Sequence, residues 1–277
     1  MILTKYHALG NDYWVYDPNK NTEFLSVAFV QKLCDRHRGL GGDGVLVGPK
    51  PLMDDRLGVQ IYNADGTLAE ISGNGLTIFA RYLSDACYVK ANEMFYMQSS
   101  ENCCVKAENH WQDMCLQSHI TLGCGKVEDV FSWSPPLHHR IRYNLPEFLH
   151  LYKVNIGNPH CVVPIKNPTA ELACDLGKIL EEDTRFPHKT NVQFVDEFAE
   201  TGVVKIEIWE RGSGYTLGSG SSACAVACAY GYIHGLKKYN VIVQMSGGSL
   251  QVNVQNNEFS FVNRAHKIAD VDLAFCE

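Results

Sequence analysis

The 277-residue chain reads as an α/β protein built from two similar lobes. Three observations carry that expectation. A glycine-rich segment with a Ser-Gly pair occurs twice, first in Asn63–Gly75 around Ser72-Gly73 and again in Glu210–Ser222 around Ser219-Gly220. Each is followed by an apolar run of helical character, predicted over Leu76–Leu83 and Ala223–Ile233. Short strand-like runs alternate with few helices in the same order in both halves, and the length suits two medium units. A glycine-rich turn that opens a helix presents backbone N–H groups and the positive end of the helix dipole. Two such turns, about half a chain apart, predict two lobes facing one small anionic ligand across a cleft.

The elements follow in order. The first half predicts strands over Ile2–His7, Tyr13–Asp17, Val45–Val47, Val59–Tyr62, Met94–Gln98, Cys104–Glu108 and Met114–Ser118. Ser26–His37 is predicted helical, with Val27, Val30, Leu33 and Cys34 on one face. The second half predicts strands over Leu151–Ile156, Cys161–Pro164, Val192–Val195, Val203–Trp209, Val241–Met245, Leu250–Val254 and Phe259–Val262. Its helices are predicted over Glu171–Asp183 and Ala223–His234. The stretch from Ser132 to His139 is the most linker-like by composition. The lobe boundary is placed near residue 119, so 119–263 form the C-terminal lobe.

Composition narrows the function. A net charge of −7 argues against nucleic acid or an anionic membrane as the main partner. There is no basic tract and no apolar run long enough to span a bilayer. Met1–Leu9 reads as a strand and lacks the layout of a signal peptide, so a cytoplasmic location is expected. Eleven cysteines without a CxxC are read as reduced thiols. Cys224 and Cys228, one helical turn apart, are read as packing residues of a central helix rather than half of a metal site. His138-His139 is read as a loop pair, and no metal is expected. Gly39–Gly44 matches G-x-G-x-x-G in the wrong context, after a helix and before a strand, so it is read as a turn and no NAD is expected.

Several motifs occur together and in order. They are Lys5–Asp12, Gly41–Gly44, Asn63–Gly66, Gly73–Gly75, Gly157–Val163, Asn191-Val192, Glu210–Gly212 and Gly247–Leu250. In this the chain resembles the diaminopimelate epimerases, pyridoxal-independent amino-acid epimerases of lysine and peptidoglycan synthesis. The resemblance covers nearly the whole chain. It implies a pseudo-twofold pair of lobes, each a curved, mostly antiparallel sheet wrapped around a central helix, with the active site in the cleft. It also implies a C-terminal tail, 264–277, that returns to the first lobe formed by 1–118. It further implies a cytoplasmic isomerase with no cofactor, a small-molecule amino-acid substrate, and a homodimer.

The resemblance places a catalytic cysteine in each repeat, and here those positions are Ser72 and Ser219. Thr77 stands where an arginine is common, and Gly44 where many members have glutamine. The implied reaction takes a weakly acidic α-proton from one face and returns one to the other, without a cofactor to hold the carbanion. A thiol at a helix N-terminus suits that task. A serine hydroxyl keeps the shape but does not ionise usefully without a strong base beside it. The chain is therefore expected to bind ligand and turn over poorly. The selective change at both catalytic positions favours an inactive Cys-to-Ser form of a working epimerase. A natural paralogue that binds without racemising is the alternative account.

Other site residues are carried over from the resemblance one by one. Asn11, Asn63, Asn158, Asn191 and Arg211 match positions that hold the distal amino-acid end of diaminopimelate, with Arg211 pairing its carboxylate. Gly73, Asn74, Gly220 and Ser221 match the backbone cradle of the reacting carboxylate. His160 and Glu210 match groups that orient the ammonium and tune proton transfer. Singly, these asparagines are ordinary turn residues, a Glu-Arg pair is an ordinary surface element, and the two serines are ordinary N-caps. The ordered set raises the functional reading above these. Competing readings are a racemase of another amino acid, which the retained Arg211 and asparagines oppose, and a non-catalytic amino-acid binder. A serine hydrolase is disfavoured, because neither serine sits in a G-x-S-x-G elbow.

Overall fold

The computed structural model describes residues 1–100, 103–196 and 202–273. The chain divides into two compact units, Met1–Leu122 with Val262–Glu277, and Gly123–Phe261. Both are sheet-dominated and carry few helices.

The first unit contains β1 (Ile2–Ala8), β2 (Asn11–Tyr16), α1 (Val27–Cys34), β3 (Gly44–Pro51), β4 (Leu57–Asn63), β5 (Leu68–Ala69) and α2 (Gly73–Asp85). After these come β6 (Met94–Ser100), β7 (Cys103–Gln112) and β8 (Cys115–Cys124), and the last strand of the chain, β18 (His266–Asp272), returns to this unit. Strand β1 lies between β2 and β18, antiparallel to both. Strand β2 pairs parallel with β3, and β3 antiparallel with β4. Strands β6, β7 and β8 form a meander that joins β4 through Leu57 and Gly58.

Helix α2 is the centre of this unit. Leu76, Ile78, Phe79 and Leu83 are fully buried, and only Arg81 and the C-terminal end reach the surface. Burying each such side chain contributes roughly 1.5–3 kcal/mol. Its far end is tied by Asn109, whose Nδ2 donates to Ala80 O at 2.7 Å and to Ser84 Oγ at 2.7 Å. Helix α1 packs with Val30, Leu33 and Cys34 against Trp14, Val45 and Val47.

The second unit contains β9 (Lys126–Trp133), α3 (Leu137–Arg142), β10 (Leu149–Asn155), β11 (Pro159–Pro164), α4 (Ala170–Glu181), β12 (Asn191–Val195), β13 (Val203–Glu210) and β14 (Gly214–Thr216). It closes with α5 (Gly220–His234), β15 (Lys238–Met245), β16 (Gly248–Gln255) and β17 (Glu258–Asn263). The pairing runs β9–β10–β11 antiparallel, β11–β12 parallel, then β12–β13 antiparallel. Strand β13 pairs parallel with β15, which continues antiparallel into β16 and β17. Helix α5 is buried from Gly220 to Tyr230, and β9–β12, β15 and β16 pack around it. Its Ala and Cys side chains are small enough for strands to approach on several sides, as a helix apolar all round requires. Cys224 and Cys228 are among them, and burial pushes the Cys228 thiol up to about 12. Helix α4 packs with Leu172, Leu176 and Leu180 against Val163, Val192 and Phe194.

Four sequence expectations change. The two central helices begin at Gly73 and Gly220, so the glycine segments are first helical turns rather than loops leading into helices. The Ser and Gly residues there lower intrinsic helix propensity, yet the N-cap bonds and complete burial override it. The linker-like stretch is instead the end of β9 followed by α3, entered through Pro136 at its N-cap. His138 and His139 therefore lie on a helix, with ring centroids 3.9 Å apart. Strands β5, β9, β14 and β18 lie outside the predicted elements, because β5 is only two residues long and the others lack a strong alternation. The Gly39–Asp43 segment is a turn between α1 and β3, as its sequence context indicates. Every described cysteine is free, the described residues hold no cluster of metal-ligating side chains, and no described helix is long and apolar enough to cross a membrane.

Candidate functional site

The site residues fall into two groups, one in each unit. In the first unit, Ser72 is the N-cap of α2, and its Oγ accepts from Gly75 N at 3.0 Å. Gly73 and Asn74 form the first turn behind it and are buried. Asn74 Oδ1 accepts from Asn263 Nδ2 at 3.3 Å, and Thr77 Oγ1 donates to Gly73 O at 2.8 Å. The hydroxyl of Tyr13 lies 3.5 Å from Ser72 Oγ.

Register places further residues beside this turn. Tyr13 on β2 is opposite Gly44 on β3, and Gly44 is opposite Asn63 on β4. A Cβ at residue 44 would stand 2.6 Å from the Tyr13 ring and 2.2 Å from Tyr62 O. The Tyr13 ring thus occupies the room that a larger side chain at Gly44 would need. Asn63 Nδ2 donates to Thr67 Oγ1 at 3.0 Å, which ties it to the turn ahead of α2.

Asn11 opens β2, and its Nδ2 donates to Asp43 Oδ2 at 2.8 Å. Asp43 belongs to a compact charge cluster with Asp12, Lys5 and Arg36. Lys5 Nζ is 2.8 Å from Asp12 Oδ2, and Arg36 Nη2 is 2.6 Å from Asp12 Oδ1 and 2.8 Å from Asp43 Oδ1. Burial pushes the Asp12 carboxyl up, but hydrogen bonds from Arg36 and Lys5 outweigh it and hold the group near 2. Burial and the neighbouring Asp12 raise the Asp43 carboxyl, with Arg36 opposing.

In the second unit, Ser219 is the N-cap of α5 and is buried. Its Oγ accepts from Ser222 N at 3.3 Å and lies 3.2 Å from Ser221 Oγ. Ser222 Oγ in turn accepts from Gln193 Nε2 at 3.0 Å. Gln193 lies two residues beyond Asn191 on β12, and Asn191 is paired with His160 across the parallel β11–β12 ladder. His160 is fully buried, its Nε2 lies 2.8 Å from Asn158 Oδ1, and burial holds it neutral with its pKa down to about 3. Asn158, His160, Asn191, Gln193 and the α5 N-terminus therefore form one linked group.

Arg211 sits in the turn between β13 and β14, just after Glu210. Asn191 holds that turn: its Oδ1 accepts from Arg211 N at 3.0 Å while its Nδ2 donates to Pro159 O at 3.0 Å. Glu181 at the end of α4 holds the same turn from the other side. One oxygen accepts from Gly212 N at 3.1 Å and the other from Trp209 Nε1 at 2.8 Å. Arg211 Nη1 donates to His188 O at 3.2 Å.

Tyr13, Asp43, Glu181, Gln193 and Ser222 are site-supporting residues that sequence reasoning missed. Glu181 had a usable signal: an acid four residues after Gly177 on the buried face of an amphipathic helix. Gly177 itself lies so close to Trp209 that a Cβ there would come within 2.5 Å of its side chain.

The sequence profile of the family described as diaminopimelate epimerase matches residues 3–111 and 152–265. The chain belongs to the diaminopimelate epimerase family. Diaminopimelate epimerase 2 of Nostoc sp. is 35% identical over 284 residues, covering 99% of this chain and 96% of that protein. Diaminopimelate epimerase of Prochlorococcus marinus is 33% identical over 268 residues, covering 91% of this chain and 84% of the relative. A hydroxyproline epimerase from Agrobacterium vitis, solved with trans-4-hydroxy-L-proline bound, superposes with a TM-score of 0.75 at 13% identity, covering 98% of this chain and 91% of that one. That likeness shows a fold shared between the diaminopimelate epimerase family and other epimerases.

Proposed function

We propose that the chain is an isomerase-type protein of diaminopimelate metabolism whose two N-capped central helices address one diaminopimelate molecule. In the form described by this sequence it binds that ligand and epimerises it poorly. The observation that carries the reading is the pair of Ser-capped helix N-termini at Ser72 and Ser219, each central to its unit. Helix N-termini receive a carboxylate and stabilise negative charge that develops on it.

With cysteine at both positions, the chemistry is two-base epimerisation between the L,L and meso forms, with no cofactor. One thiolate removes the α-proton, and the opposite thiol returns a proton to the other face. Gly73, Asn74, Gly220 and Ser221 cradle the reacting carboxylate. Arg211, with Asn11, Asn63, Asn158 and Asn191, receives the distal amino-acid end, and Glu210 orients the ammonium and tunes proton transfer at the reacting carbon. His160, buried against Asn158, stands with Glu210 as a group that orients the ammonium and tunes proton transfer. Serine lacks the acidity for either step. Cytoplasmic lysine biosynthesis and a homodimer complete the reading, with residues 1–118 and 264–277 as one lobe and 119–263 as the other.

The test is the double substitution Ser72→Cys with Ser219→Cys. It should produce inversion of L,L-diaminopimelate, followed by circular dichroism, without added cofactor. Each single substitution should give α-deuterium uptake with little inversion, because one thiol can return the proton only to the face it left. A folded, ligand-binding double variant with neither signal would favour the second reading, a natural amino-acid-binding paralogue, which the serine pair itself supports.

A further inference from the structure

Resting on the placement of Asn11 at the ligand, we propose that Asp43 is a positioning residue that fixes the Asn11 carboxamide with its oxygen outward. Asn11 is thereby made an acceptor for a ligand ammonium group.

The argument is one of donors and acceptors. An ionised carboxylate only accepts hydrogen bonds, whereas a carboxamide offers an NH2 at one end and an oxygen at the other. Asp43 Oδ2 lies 2.8 Å from the Asn11 amide and accepts from Asp12 N at 2.9 Å. Its other oxygen accepts from Arg36 at 2.8 Å. Both oxygens are therefore engaged by donors, and the end of Asn11 that faces them must be the NH2. Flipping the amide would set oxygen against oxygen. The Asn11 Oδ1 is the end left over, turned away from the carboxylate.

The cluster around Asp43 keeps this choice in place. Lys5 and Arg36 supply two positive charges against Asp12 and Asp43, so the carboxylates are matched locally. Lys5 is also anchored to Gly41 O at 2.9 Å, and Trp14 Nε1 to the same carbonyl at 2.7 Å. The loop carrying Asp43 is thus held on β1 and β2, and Asn11 cannot rotate without breaking a hydrogen bond to a charged group. A carboxamide oxygen attracts an ammonium group and repels a carboxylate. In the proposed site Asn11 therefore reads the distal ammonium of diaminopimelate and not its carboxylate.

Calorimetry with three ligands tests this. Meso-diaminopimelate carries both groups at each end, 2-aminopimelate lacks one ammonium, and lysine lacks one carboxylate. Asp43→Asn offers Asn11 an amide in place of a carboxylate, so its orientation is no longer dictated. Affinity for diaminopimelate should fall on the order of tenfold, while affinity for 2-aminopimelate should stay within about twofold. Equal losses for these two ligands would overturn the ammonium assignment while leaving the functional reading intact. Arg36→Gln, at a half-exposed side chain, is the second variant and should give a smaller loss with the same ranking. In the ligand-free protein, the Asn11 side-chain NH2 resonances, assigned by their loss in Asn11→Ser, should shift in Asp43→Asn. An unchanged signal would refute the contact itself. A wild-type chain that binds none of the three ligands would overturn both the functional reading and the ammonium subsite, and the resonance shift would then judge the Asp43 contact alone.

Discussion

Removing the Glu181 carboxylate should unfasten the Arg211 turn. Its side chain is 6% exposed and accepts from Trp209 Nε1 at 2.8 Å and Gly212 N at 3.1 Å, with Lys189 Nζ at 3.5 Å. Hydrogen bonds to a charged group contribute about 1.5–3 kcal/mol each, and a buried donor left alone costs a comparable amount. Gly212 is exposed, so water can replace its partner, whereas the Trp209 indole is half-buried over Gly177. Glu181→Ala should therefore destabilise the second unit by about 2–4 kcal/mol. Glu181→Gln should cost less, because one oxygen survives while its NH2 faces a donor. Urea unfolding followed by tryptophan fluorescence reads the effect, since Trp209 sits at the contact. Diaminopimelate affinity should fall as well, because Gly212 N is one of the points at which the turn carrying Arg211 is pinned. An Ala variant within about 0.5 kcal/mol of wild type, with unaltered emission, would show that the carboxylate does not hold the turn.

Three further outcomes are expected. Arg211→Ala should weaken diaminopimelate binding by about 2–5 kcal/mol, and lysine should bind far more weakly than diaminopimelate to the unsubstituted chain; equal affinities in calorimetry would refute the substrate class. His160 is buried neutral with its pKa depressed to about 3, so the unfolded chain binds more protons than the native one between that value and the ordinary histidine range. Its contribution is complete above about pH 6.5 and is lost as pH falls towards 3, with a slope of up to about 1.4 kcal/mol per pH unit. His160→Gln should flatten that part of the stability–pH curve, and an unchanged slope would mean that the native protein takes up the proton. Gly231→Ala would place a Cβ 2.0 Å from the Tyr239 hydroxyl, which donates to Ala227 O at 2.9 Å. Displacing that ring should cost about 1–3 kcal/mol, measurable by thermal melting, and a neutral result would mean that β15 can shift away from α5.

The sequence by itself determined the α/β class, the doubling of the Ser-Gly segment and the family. Those signals are local: alternation of apolar residues, Gly and Asn at turns, and Ser or Thr at helix N-caps. Ser26, Ser72, Thr169 and Ser219 all cap helices because a side-chain oxygen satisfies an amide a few residues ahead, a bond that depends on no distant residue. Tertiary structure decided what those residues do besides. Asn191 and Asn11 read alike in the sequence, yet the first spends its carboxamide on Arg211 N and Pro159 O while the second is turned by Asp43. Tyr13 comes near Ser72 only because β2 lies beside the start of α2, and Glu181 reaches the Arg211 turn only because α4 ends beside β13. A carboxamide carries a donor and an acceptor that spacing along the chain does not rank. Its role follows from which long-range partner, donor-only or acceptor-only, the fold sets against it.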